Sequence, residues 1–238
     1  MARAAAHVFV ANPDHPELSP LDRHHLLKVL RLRAGEVVTV ADGTGRWRWC
    51  RLAPGAGSGP GLEPVGDVES DPRPSPPVAV GFALTKGARP ELAVQKLTEV
   101  GVDRIVPFTA DRSVVRWTPE QAAGHAGRWR RVAREAAMQS RRTWLPEIDD
   151  VATFADLAPR PGTALAAPDG DPPDPARHLL VLVGPEGGWS DAELVEADTR
   201  GCRHVRLGAH VLRAETAAMV AGALLCAVRD GLVAGPES

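Results

Sequence analysis

Tyrosine is absent from these 238 residues, and only three of the 28 basic residues (Lys28, Lys86, Lys96) are lysine. The rest are arginine, in a chain rich in Ala, Pro and Gly. Codon bias alone can produce that pattern, so arginine count says nothing about nucleic acid; arginine placement has to. Cysteine numbers three (Cys50, Cys202, Cys226), without a C-x-x-C pair or a His-rich tract. That excludes a disulfide framework and a zinc site, so no metal is expected, and it fits a reducing, cytoplasmic setting. No apolar run approaches the roughly 20 residues of a membrane helix, and the longest, 217–228, reads as a buried helix. The apolar start contains His7 and ends at Asn12-Pro13, which argues against a secretion signal. G-x-G-x-x-G after a strand, G-x-x-x-x-G-K-[ST] and G-x-S-x-G are all missing, which argues against a dinucleotide site, a P-loop and an ordinary α/β-hydrolase.

A net charge of −2 excludes a protein that coats nucleic acid. It leaves room for an enzyme that meets RNA through a local patch. The proline density of 70–77 (SDPRPSPP) suits neither a helix nor a central strand and reads as a linker. A domain boundary is placed there, giving 1–72 and 73–238. The first part is a small β-rich module with one helix near 20–30. Its Glu36–Val40 and Arg46–Leu52 runs flank an Asp42-Gly43 turn, and 54–61 (PGAGSGPG) is a hairpin loop. Strands and helices alternate in the second part. Strands are expected at 78–84, 104–108, 163–167, 179–183 and 204–207, and helices at 90–100, 120–142, 190–200 and 214–229. That alternation predicts an α/β domain with a mostly parallel sheet.

Ligands of such sheets bind at the carboxyl ends of strands. Three ends are chemically unusual here: 166–170 (AAPDG), 184–188 (GPEGG) and 208–217 (GAHVLRAETA). Glycines without a Cβ let backbone amides approach a flat polar ring. A plain strand-to-helix turn before a Ser190–Glu193 capping box is the competing reading of the second segment.

The runs LVGPEGGWSDAEL (182–194) and LGAHVLRAETAA (207–218) resemble the SPOUT superfamily of methyltransferases, and most closely its bacterial 16S rRNA (uracil-N3)-methyltransferase family. HHLLKVLRLRAGEVVTVADGTG (24–45) resembles that family's PUA-like module. KGARPELAVQKLTEVGVDRIVPFTADRSVVRW (86–117) and REAAMQSRRTWLPEI (134–148) resemble its catalytic domain. The resemblance implies a PUA-like β-barrel followed by a trefoil-knotted α/β domain and a homodimer. It also implies S-adenosylmethionine bound mostly by backbone, and one particular uridine of 16S rRNA in the small ribosomal subunit as target. It places the cofactor at Ala167, Pro168, Val183, Gly184, Glu186, Gly187, Gly188, Leu207, Gly208, Leu212, Thr216 and Ala217. Ala167 stands where the commoner family form has His.

Uracil N3 carries a proton at neutral pH and must lose it to become a nucleophile. Arg213 is the candidate for stabilising the uracil anion at a carbonyl oxygen. Glu215 is the candidate proton acceptor or Arg213 orienter, against the reading of an acidic residue at a helix start. Along 127–142, at about 100° per residue, Trp129, Val132, Ala133, Ala136 and Ala137 share one arc. Arg130, Arg131, Arg134, Arg141 and Arg142 share another, an outward stripe suited to phosphates or simply a solvated face. His24, His25, Lys28, Arg31 and Arg33 form a second basic cluster, with His24, Lys28 and Arg31 the candidates for RNA contact, and Arg112 and Gln139 are placed within reach of RNA. Trp47 and Trp49, interleaved with Arg46, Arg48 and Arg51, are expected to pack in the core of the first module. Three other readings compete: a SPOUT enzyme with a ribose or tRNA target, a small-molecule methyltransferase, and a non-catalytic ribosome-assembly factor.

Overall fold

The computed structural model describes residues 4–54, 61–87 and 89–235. The loop expected at 54–61 lies mostly outside these residues. Two compact units emerge, one of residues 1–73 and 134–145, the other of 74–133 and 146–238.

The first unit holds β1 (His7–Phe9), α1 (Pro20–His24) continued by one turn of π-helix (His25–Val29), β2 (Val37–Ala41), β3 (Arg46–Ala53) and β4 (Gly61–Ser70). The sheet runs in the order β1-β2-β3-β4. β1 and β2 are parallel and the other pairs antiparallel. Ser19 caps α1 by accepting from the Asp22 N–H, and Pro20 takes a first-turn position that needs no N–H. One face of the sheet buries Val8, Val38, Val40, Cys50 and Leu52 with Leu26. The expectation for the tryptophans holds in part, since Trp47 packs on a second, smaller cluster and not in the main core. With a two-residue repeat, Cys50 and Leu52 fill the core, and Trp47 and Trp49 fall half-buried on the opposite face. There Trp47 packs near Phe9, Ala41, Ala137 and Leu145, edge-to-face with Trp49.

The second unit holds β5 (Ala79–Ala83), α2 (Arg89–Glu99), β6 (Arg104–Thr109), most of α3 (Pro119–Ser140), β7 (Glu147–Ile148), β8 (Ala152–Thr153), α4 (Phe154–Leu157), β9 (Thr163–Asp171), β10 (Leu180–Val183), α5 (Asp191–Thr199), β11 (Arg203–Val205) and α6 (Ala214–Arg229). The seven strands order as β11-β9-β10-β5-β6-β7, with β8 beside β6. Every pairing in this sheet is parallel. Alternate residues of each strand therefore serve opposite layers. Val80, Phe82, Val181 and Val183 face Leu97, Trp129, Ala218 and Leu225. Leu165, Leu182, Val106 and Phe108 face Phe154, Leu157 and Ala197. Gly81 is glycine because a Cβ there would lie 2.6 Å from Leu182. Burying a side chain such as Phe108 or Leu182 stabilises by roughly 1.5–3 kcal/mol, and this sheet buries such residues on both faces.

Two expectations about the strands change. The strand expected at 163–167 runs on to Asp171. Its pairing with β11 jumps from Leu165↔His204 to Asp171↔Val205. Ala167 and Pro168 thus lie in an irregular stretch of strand rather than in a turn beyond its end. Gly170 sits against β11 so closely that a Cβ would be 2.4 Å from the Val205 nitrogen.

The three cysteines form no disulfide. Burial pushes the Cys50 thiol up to about 11, and burial with nearby Asp198 and Glu196 raises that of Cys202. Among the described residues no helix is long and apolar enough to cross a membrane, and no group of His, Cys, Asp and Glu is arranged to hold a metal ion.

Candidate functional site

Because all seven strands of the second unit are parallel, their carboxyl ends share one edge. Along that edge lie the segments after β5, β6, β9, β10 and β11.

The segment after β10 is a glycine turn fixed on three sides. Gly188 donates to the Pro185 carbonyl at 2.8 Å with φ +71°, a conformation open to glycine and costly for other residues. The Gly187 carbonyl accepts from Arg112 at 3.0 Å. A Cβ on Gly187 would approach the Arg112 side chain to 3.3 Å, and one on Gly184 would press on the Trp189 ring at 3.0 Å. Trp189 in turn donates to the Ala166 carbonyl at 3.2 Å, tying the turn to the middle of β9. Its ring stacks parallel to Phe108.

α5 begins where the turn ends. Ser190 and Glu193 form the reciprocal capping box expected from sequence. Glu193 is buried, and its second oxygen accepts from the Asp111 N–H at 2.9 Å. Ser190 Oγ donates to Asp111 Oδ2 at 2.6 Å. One carboxylate thus joins the start of α5 to the segment after β6 that carries Arg112.

The segment after β11 leads into α6. Leu207 and Leu212 pack on the core. A Cβ on Gly208 would meet nothing within 4 Å. Arg213 occupies the N-cap position of α6 without a capping side chain. It is exposed and has no ion pair among the described residues. A cation at the positive end of a helix dipole is locally unfavourable by a few tenths of a kcal/mol or more. A residue that breaks a local rule and lacks a compensating partner is the kind retained for function. The Glu215 side chain, two residues on, is 12% exposed and stands 3.9 Å from Arg89 Nε. Its Oε2 is buried and accepts no hydrogen bond among the described residues.

These features test whether S-adenosylmethionine fits. The glycine turn and open Gly208 leave backbone accessible, and the buried Glu215 Oε2 is an acceptor with no partner among the described residues. The residues present suit a ligand read mostly through backbone, with a positive or N–H-bearing group.

The remaining RNA-facing expectations divide. His24, Lys28, Arg31, Arg112, Arg131 and Gln139 are exposed. The outward stripe on α3 is corrected in part. Arg134 turns to the buried Asp22 carboxylate at 2.8 Å, and also donates to the Phe9 carbonyl. Arg130 pairs with Asp150, and Arg141 donates to the Ala4 carbonyl at 2.6 Å. Arg142 offers its carbonyl to His7. The apolar arc is as expected, with Trp129, Ala133, Ala136 and Ala137 buried. Sequence reasoning missed Arg89, whose partners Glu186 and Glu215 lie far along the chain.

Residues 72–226 match the family model of an RNA methyltransferase domain, and residues 22–55 that of an RNA methyltransferase PUA domain. The chain belongs to the RNA methyltransferase family. The "Ribosomal RNA small subunit methyltransferase E" of Mycobacterium bovis is 36% identical over 83% of this chain and 80% of its own length. The Synechocystis protein of that name is 32% identical over 90% of this chain and 73% of its own. The crystal structure of the Neisseria gonorrhoeae methyltransferase E bound to S-adenosyl methionine superposes with a TM-score of 0.77. It is 26% identical and covers 92% of this chain and 95% of that one. The fold is thus of the SPOUT type, joined to a PUA-like module, and this RNA methyltransferase is an S-adenosylmethionine-dependent enzyme.

Proposed function

We propose that the enzyme methylates N3 of one uridine of 16S rRNA within the small ribosomal subunit, as a cytoplasmic homodimer. We place the RNA-binding module at 1–72 and the catalytic domain, with a C-terminal knot, at 73–238. The rRNA target follows the names of its relatives. The observation that carries the residue assignment is that Glu186 of the glycine turn and Glu215, two residues from the unpaired Arg213, both face Arg89. The press of Gly170 on β11 supports a tightly threaded C-terminal region.

Gly184, Gly187, Gly188, Leu207, Gly208 and Leu212 would hold the cofactor by backbone and apolar contact, with Val183, Thr216 and Ala217 behind them. Ala167 and Pro168 would flank it from the irregular end of β9, and Glu186 from the turn itself. When bound, S-adenosylmethionine supplies an electrophilic methyl group. The chain's part is to present an anionic base in line with it. Arg213 stabilises the charge that develops on a uracil carbonyl oxygen when N3 loses its proton. Glu215, with one oxygen facing Arg89 and the other open, takes the proton or orients Arg213. The base must leave its stack to reach this edge. Arg112, anchored on Gly187, and the exposed His24, Lys28, Arg31, Arg131 and Gln139 contact the RNA backbone. Arg130, Arg141 and Arg142 retain an outer surface for it, whereas Arg134 acts through its structural pair with Asp22.

A methylation assay on small subunits lacking the modification tests the proposal. Mass spectrometry should place one methyl group on uracil N3. A methyl on a ribose 2′-hydroxyl or on tRNA would replace this reading with another target. Binding of the cofactor without any transfer would replace it with a non-catalytic assembly role.

A further inference from the structure

Arg89 opens α2, where a cation opposes the helix dipole just as Arg213 does on α6. Unlike Arg213, it is engaged. Its guanidinium pairs with Glu186 of the glycine turn, 97 residues away, and its Nε lies 3.9 Å from Glu215 on α6. These two carboxylates belong to different segments of the carboxyl edge. Apart from Arg89, no cation is paired with either of them among the described residues.

We propose that Arg89 is a positioning residue for the cofactor pocket, bracing the glycine turn against the start of α6 through Glu186 and Glu215. The proposal rests on the pocket assigned above. The Arg89 and Glu186 side chains are 41% and 52% exposed, and so open a pair adds little to global stability. Its effect is on geometry. Without Arg89, Glu186 is free to turn into solvent, and the turn loses its link to α2. Glu215, mostly buried with one oxygen already vacant, then faces no cation. It is then free to swing outward, which alters the wall next to Arg213.

The test is calorimetric titration of S-adenosylmethionine into wild type, Arg89→Ala, Arg89→Lys, Glu186→Gln and the Arg89→Ala/Glu186→Gln double variant, with thermal melts of each. Arg89→Ala should weaken cofactor binding about fivefold, the upper range for one exposed ion pair, with an unchanged melting temperature. Arg89→Lys should recover most of the affinity, because a charge is restored. The double variant should bind no worse than Arg89→Ala, since both changes break one link. Additive losses, an unaltered affinity in Arg89→Ala, or a loss that tracks the melting temperature and is not rescued by lysine would each overturn the assignment. Gly188→Val is the separate control for the pocket. If it binds the cofactor like wild type, the pocket is misplaced, whatever Arg89 does.

Discussion

His7 makes stability of the first unit depend on pH. It is buried at the start of β1, with Nε2–H donating to the Arg142 carbonyl at 3.0 Å and Nδ1 accepting from the Thr39 hydroxyl at 2.8 Å. The carbonyl can only accept, which fixes the neutral tautomer with its proton on Nε2. Burial, partly offset by that carbonyl and reinforced by the Arg141 charge, lowers its pKa from 6.5 to about 4. In the unfolded chain the imidazole takes its proton as pH falls through 6.5; in the folded chain it does so only near 4. Between these values the unfolded state binds more protons. The group's contribution is therefore complete above pH 6.5 and is lost as pH falls toward 4. Integrating the two titrations gives a loss of about 2 kcal/mol on going from pH 8 to pH 5 and about 3 kcal/mol once both forms are protonated. Urea denaturation followed by tryptophan fluorescence, at pH 8 and pH 5, measures it. His7→Gln keeps a donor and an acceptor without titrating. It should be less stable than wild type at pH 8 and lose about 2 kcal/mol less between the two pH values. Equal pH dependence in the two proteins would refute the reasoning.

Arg213→Ala should lower kcat by at least about a hundredfold while leaving calorimetric cofactor affinity nearly intact; normal methylation would remove Arg213 from the chemistry. Arg112→Ala and Arg131→Ala should each reduce the slope of log K for subunit binding against log salt by about one, and an unchanged slope means no phosphate contact. Gly170→Ala forces a methyl against the β11 backbone, which cannot yield as a side chain tip would. It should cost about 3 kcal/mol in denaturant unfolding, and full stability would show that β9 and β11 are not so tightly apposed. Asp22→Ala strands the Arg134 charge and should cost about 3 kcal/mol, with Arg134→Met on the same background recovering part of it.

Much of the second unit is legible in sequence because local signals and tertiary packing agree there. Ser190 and Glu193 announce α5, and Gly101 at φ +101° closes the turn after α2. The apolar arc of α3 is read directly from its period. What escaped reading depends on distant partners. β4 contains Glu63, Pro64, Asp67 and Glu69 and shows no alternation, since it is an edge strand with little to bury. β7, β8 and α4 are too short to carry a period. Arg134 has the right phase to face out, but its side chain reaches Asp22, 112 residues earlier. The carboxyl-edge segments were recognisable by composition. That Arg89 joins two of them was not, because no spacing rule links residues 97 apart.

The inertness of the native sulfur atoms has a practical consequence. With Cys50 and Cys226 enclosed and the Cys202 thiol held protonated, maleimide reagents at neutral pH should pass them by. Val211, 95% exposed between β11 and α6, is then a natural anchor for a fluorophore through Val211→Cys. Such a labelled protein could follow, in real time and without stripping any native thiol, how the rim beside Arg213 responds as ligands arrive.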